Sequence, residues 1–134
     1  MSTAWSHLPN AMHIDRVLAS VKAHPKNWYA AWDSAWSAAV NAAWSAARSA
    51  ARYAAWSAAW SASRRAAVNA ARDAAVNAAW GAMAALIAWD HSAKYLDMSS
   101  DQLRVWHILS EDPACLLLLP AVRAFEQIEE LETA

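Results

Sequence analysis

The residues with the clearest chemical potential occupy one column of a four-residue repeat. Taking every fourth residue from Trp28 to Trp80 gives fourteen positions, filled by seven Trp, three Val and four Arg. An indole can stack on a base, and a guanidinium can bind a phosphate through two parallel hydrogen bonds. The column therefore predicts a nucleotide-binding set, which consists of Trp44, Trp56, Trp60, Arg48, Arg52, Arg64 and Arg72.

The same column has a purely structural interpretation, in which Trp forms the core and Arg is solvated or stacks against it. The repeat unit is [Trp/Val/Arg]-[Ser/Asn/Asp]-Ala-Ala, and between residues 26 and 112 there is no Pro and one Gly, Gly81. Ala is the best helix former, so helix is the expected state. Each unit advances the leading residue by about 40° around a helix. A short helix then has one apolar stripe, whereas one straight helix over 28–80 would show Trp on every side.

Two arrangements satisfy this pattern. In the favoured one, the repeat breaks into helices of about 12–20 residues that pack on one another. In the other, long helices wrap around partners with a right-handed twist. We therefore predict an all-α fold, a compact bundle of several short-to-medium helices with Ala-mediated close packing and a Trp-rich core, assembled as a homo-oligomer. The chain is expected to be one domain, 1–134, with an N-terminal helix and turn (1–27), repeat helices (28–85) and C-terminal helices (86–134).

The flanking segments carry ordinary helix signals. Asn27, Ser99 and Asp112 are predicted N-caps, Ser99 with a Gln three residues later and Asp112 directly before a proline. The helix that follows Gly81 is expected to continue through 82–98. Pro120 is expected to kink or restart the last helix.

Charge and hydropathy restrict the location and the partners. The formal net charge is -1, so no global field attracts nucleic acid or an anionic membrane. The apolar runs are shorter than the roughly 20 residues that span a bilayer. Cys115 is the single cysteine, which excludes an intramolecular disulfide, and no signal-peptide pattern is present. We predict a cytoplasmic protein that binds neither membranes nor nucleic acid.

Other chemistry-bearing residues give weaker patterns. His107 and Glu111 lie four residues apart, and Asp90 and His91 are nearby in sequence, but no specific metal motif is present and surface pairs are favoured. Cys115 precedes four Leu, which favours a buried structural thiol. One glycine leaves no Gly-rich phosphate loop. We therefore predict no catalytic site, metal or cofactor.

The A-A-W-x, A-A-R-x and A-A-V-N units resemble the alanine-rich tetrapeptide repeats of small phage and bacterial proteins, some of which carry an immunity-protein label. The resemblance covers about residues 28–85, and the segment that begins "AWDHSAKYLDMSS" is similar to the non-repetitive tail of such phage proteins. It implies a phage or mobile-element setting, in which small non-enzymatic proteins block host defence. It supplies no catalytic residue.

Two functional hypotheses follow. In the first, a non-enzymatic binder counters host defence, either by sequestering a nucleotide signal in Trp/Arg clefts or by occluding a defence protein. In the second, the chain is a structural or toxin-immunity-type interaction module, and Trp serves only as core.

Overall fold

The structure, a computed structural model, describes residues 5–6, 8–34, 40–43, 45–46 and 73–133. These ranges contain helices and no strand: α1 (Ala11–Ala23), α2 (Pro25–Ser34), α3 (Asp73–Ala88), a 3₁₀ helix (Asp90–Asp97), α4 (Ser100–Ser110) and α5 (Pro113–Thr133). Residues 40–43 and 45–46 are also helical. The predicted all-helical fold class is confirmed for this part of the chain, where no helix is long and apolar enough to cross a membrane.

The two ends of the repeat pack against each other. Helix α2 carries its first units and α3 its last, and these two helices are in contact. A straight helix joining them would separate their facing ends by about 60 Å at ~1.5 Å per residue. One straight helix over 28–80 is therefore excluded.

Helices α3 and α5 approach each other through small residues. Gly81 is buried, and a Cβ placed on it would lie 3.2 Å from the Leu117 carbonyl oxygen. Buried alanines line both helices: Ala79, Ala82, Ala84, Ala85 and Ala88 in α3, and Ala114, Ala121 and Ala124 in α5. Small side chains allow short distances between helix axes, as the Ala-rich columns predict.

Tryptophan contributes to the described core beside mostly aliphatic residues. Trp5 and Trp28 are buried, and Trp32, Trp80 and Trp89 are partly buried against the same cluster. Val40, which belongs to the leading column of the repeat, is also buried. The leading-column side chains that the structure describes, Trp28, Trp32, Val40 and Trp80, therefore contact the core, while the Trp-rich core as a whole stays a prediction.

One local expectation about a helix start is wrong. Helix α2 begins at Pro25, and the Trp28 N–H donates to the His24 carbonyl at 3.2 Å, so Asn27 lies inside the helix. Proline suits the first helical position because the N–H it lacks would have no partner there. Helix α5 continues through Pro120, so of the two outcomes expected there the restart is excluded. Burial of the residues on both sides of this proline stabilises the continuous helix.

The helix expected over 82–98 is interrupted at Trp89. Helix α3 ends one residue earlier, and Trp89 is extended before the 3₁₀ helix begins. The Asn10 side-chain amide donates to the carbonyls of Leu86 at 3.0 Å and Trp89 at 3.1 Å. The buried Ser92 hydroxyl donates to the Trp89 carbonyl at 2.7 Å. Because these side chains satisfy carbonyls at the end of α3, the helix can terminate inside the protein.

Candidate functional site

The predicted nucleotide-binding set lies outside the described residues. This holds for all of its members: Trp44, Trp56, Trp60, Arg48, Arg52, Arg64 and Arg72. The described part of the chain offers a different candidate, which is centred on α4.

Helix α4 is fixed to α5 along its inner side. It begins with the predicted capping box, in which the Gln102 N–H donates to the Ser99 hydroxyl at 3.1 Å and the Ser99 N–H donates to the Gln102 side-chain oxygen at 3.0 Å. The next N–H, from Ser100, donates to the Glu126 carboxylate of α5 at 3.2 Å. Leu103 inserts into the core. The hydrogen bonds at its N-terminal end and one buried anchor therefore set the orientation of the helix.

The outer side of α4 is apolar and exposed. Val105, Ile108 and Leu109 are 57%, 75% and 72% exposed, and Trp106 beside them is 39% exposed. Residues spaced at i, i+3 and i+4 share one helix face, so the first three form a continuous patch. We call the four residues together the α4 face. Contiguous exposed apolar patches on soluble proteins mark interaction sites more often than isolated apolar residues do.

A shallow groove adjoins the N-terminal end of the α4 face. Its volume is about 590 Å³, and it is lined by Met98, Asp101, Gln102, Val105 and Trp106. Apolar side chains together with a few polar groups are typical of binding grooves. The groove and the α4 face thus form one surface that can receive side chains of a partner.

A hydrogen-bonded cluster behind the α4 face holds Trp106 in place. The Trp106 indole N–H donates to the Tyr95 hydroxyl at 3.2 Å, and this hydroxyl donates to the Asp112 carboxylate at 2.6 Å. The His91 Nε2 lies 2.7 Å from the same carboxylate oxygen. These contacts join the 3₁₀ helix, α4 and the start of α5. The polar edge of Trp106 is therefore fixed, while part of its ring remains exposed.

Asp112 has a second role as the predicted N-cap of α5. Its other carboxylate oxygen accepts the Ala114 N–H at 3.0 Å, which confirms the cap. Burial opposes ionisation of this carboxyl, but hydrogen bonds from Tyr95 and His91 outweigh that effect and lower the pKa of Asp112. Burial and the hydrogen bond to Asp112 together raise the pKa of Tyr95. The pair is thus a phenol that donates to a carboxylate.

The two weaker candidate pairs both approach Asp112: His91 contacts its carboxylate, and His107 Nδ1 lies 3.4 Å from its carbonyl oxygen. His91 pairs with Asp112 at 2.7 Å. Glu111 ends α4 in a left-handed conformation, with φ 56°, and its N–H donates to the His107 carbonyl at 2.9 Å. Among the described residues, no group of three or more His, Cys, Asp and Glu side chains can hold a metal ion. Cys115 is buried as expected, and burial raises the pKa of its thiol.

The α4 face and the Tyr95–Asp112 cluster were not predicted from the sequence. A signal was present, because "QLRVWHIL" has five apolar residues, of which one short helix can bury only those on one side. Comparisons of this chain with protein-family models, with curated proteins and with solved structures found no match.

Proposed function

We propose that this chain is a non-enzymatic protein-interaction module that binds a partner protein through the α4 face. The observation that carries the proposal is the exposure of four large apolar side chains on a helix whose inner side is fixed to α5. Tryptophan is enriched among the residues that dominate binding energy in protein interfaces. A face that is ordered before binding loses little conformational entropy on association.

The resemblance of the repeat to small phage proteins suits two kinds of partner. One is a host defence protein, which the bound chain occludes. The other is a toxin, which an immunity-type module neutralises by the same kind of contact. Burial of Trp5 and Trp28 supports the structural interpretation of tryptophan, which belongs to the protein-interaction hypothesis.

The nucleotide and homo-oligomer hypotheses rest on the sequence alone. Isothermal titration against cyclic dinucleotides and ADP-ribose derivatives tests the first, and the absence of micromolar or tighter binding would eliminate it. Size-exclusion chromatography with light scattering tests the second.

Co-purification with a matched control tests the proposed function. The tagged chain, expressed in cells of the organism that makes it, is expected to retain one partner in a fixed molar ratio. The double variant Ile108→Asp/Leu109→Asp is expected to lose this partner, because it places two charges in the apolar contact. Both residues are largely exposed, so circular dichroism of the variant should match that of the wild type.

The control variant introduces two aspartates at exposed positions outside α4. Met12 and Tyr29 are also exposed, at 79% and 55%, and Met12→Asp/Tyr29→Asp is expected to retain the partner. Retention of the partner by the α4 variant, or its equal loss from both variants, would refute the proposed surface.

A further inference from the structure

The α4 face ends at acidic residues on both sides. Asp101, in the first turn of the helix, has a side chain that is 94% exposed, and Glu111, just past the last turn, is also exposed. Asp97, before the helix, is exposed as well. Arg104, three residues later in the same helix, lies 3.6 Å from Asp101. An apolar stripe is thus bounded by negative charge along the helix axis.

From this arrangement we infer that the occupant of the α4 face is an amphipathic helix of a different protein, with an apolar stripe and Lys or Arg near both ends. The inference rests on the proposed function and adds the chemistry of the partner. Helix-in-groove recognition uses apolar anchors at i, i+3, i+4 and i+7. The α4 face presents its own apolar residues at matching spacing, with Trp106 at the edge of the groove.

The dimensions of the surface agree with a short helix. From Asp101 to Glu111 the surface is about 15 Å long at ~1.5 Å per residue. A partner helix of about three turns covers this length and places its end residues next to the two acids. The surrounding segment adds to the attraction, because residues 90–134 contain nine Asp and Glu against three Lys and Arg, and such a field favours the approach of a basic partner.

A second copy of the chain fits this surface less well. In an antiparallel pair of α4 helices, Asp101 of one copy would face Glu111 of the other at both ends. In a parallel pair, Asp101 would face Asp101, and the two helix dipoles would also be aligned unfavourably. Like charges placed opposite each other oppose association. The charges therefore favour a heterologous basic helix over self-association.

Designed peptides test this inference directly. Two helical peptides of 14 residues share one leucine stripe at i, i+3, i+4 and i+7 and differ only at their ends, which carry Lys in one and Glu in the other. In isothermal titration at low salt, the Lys peptide is expected to bind about tenfold more tightly or better, since the contacts with both acids change from repulsive to attractive. The preference should shrink at high salt because exposed charges are screened.

Charge-reversal variants of the protein provide the complementary experiment. Asp101→Lys/Glu111→Lys is expected to prefer the Glu peptide. Glu130→Lys/Glu132→Lys, which changes the net charge equally at exposed positions of α5, should keep the preference for the Lys peptide. Ile108→Asp/Leu109→Asp should bind neither peptide.

Three results would overturn the inference: no binding of either peptide, equal affinities for both, or light scattering that shows a dimer abolished by Ile108→Asp/Leu109→Asp. Co-purification tests the proposed function independently of the peptide titrations. A retained partner that depends on the α4 face, together with peptides that do not bind, would refute the basic helix and leave the interaction surface in place.

Discussion

Replacing Trp28 with alanine is expected to lower the free energy of unfolding by about 3–5 kcal/mol, the usual cost of deleting a buried aromatic side chain. Trp28 is fully buried, and its ring makes an edge contact with Phe125 of α5, with centroids 5.6 Å apart. Its indole N–H donates to the Ser20 hydroxyl of α1 at 3.0 Å. One side chain thus joins three helices, and its removal leaves a cavity between them. Urea denaturation followed by circular dichroism measures the change.

Two variants separate the causes of that loss. Ser20→Ala removes only the acceptor of the indole N–H and is expected to cost about 1–3 kcal/mol. Tyr29→Ala changes the next residue of α2, which is exposed, and should stay within about 0.5 kcal/mol of the wild type. If Trp28→Ala proved as mild as Tyr29→Ala, the placement of Trp28 in the core would be wrong.

Replacing Asp112 with alanine is expected to cost about 2–4 kcal/mol. The change removes an N-cap, which costs about 0.5–2 kcal/mol, and leaves the buried Tyr95 hydroxyl without its acceptor, which costs about 1–3 kcal/mol. Asp112→Asn retains one acceptor oxygen, which can still cap the helix, and its NH2 group takes the place of the oxygen that accepts from Tyr95, so its loss should be smaller. Equal losses for the two variants would show that charge, rather than hydrogen-bond geometry, determines the role of Asp112.

The stability contributed by Asp112 should depend on pH in a defined direction. Its pKa is lower in the folded protein than its ordinary value, so the folded state favours the ionised form. The contribution is fully present well above the unfolded pKa of about 3.9 and is lost as pH falls through that value toward the folded pKa. The difference in unfolding free energy between wild type and Asp112→Asn should therefore shrink from about pH 6 to about pH 3. A difference that stays constant over this range would contradict the assigned contacts.

The cluster links stability to the proposed binding surface. Asp112 orients the Tyr95 hydroxyl, which in turn accepts the Trp106 N–H. Trp106 lies at the point where the groove meets the α4 face. The same hydrogen bonds that fasten the 3₁₀ helix to α5 therefore also define the shape that a partner contacts.

Rules that involve only residues close in sequence, such as helix propensity and capping, predicted much of the fold. Alanine content and the lack of Pro and Gly predict helix, and the caps at Ser99 and Asp112 follow from side chains within three residues of the helix starts. The break at Trp89 was not predictable in this way. The Asn10 amide that caps the end of α3 lies 76 residues from Leu86 in sequence, so only tertiary packing brings the two together.

The candidate surface, like the fold, could be predicted from the sequence only in part. The sequence of α4 contains more apolar residues than one buried side needs, but the position of α5 decides that Leu103 faces inward and that Ile108 and Leu109 face outward. The nucleotide-binding set predicted from the repeat lies outside the described residues and stays a prediction.

Site-specific photo-crosslinking at Leu109 tests the interaction surface most directly. A photoreactive phenylalanine at this exposed position, introduced in cells of the organism that makes the protein, is expected to form one discrete adduct with a partner protein. The same group at Glu130, which is exposed on α5, should form none. Absence of an adduct at Leu109, or the same adducts from both positions, would contradict the assignment of the α4 face as the binding surface.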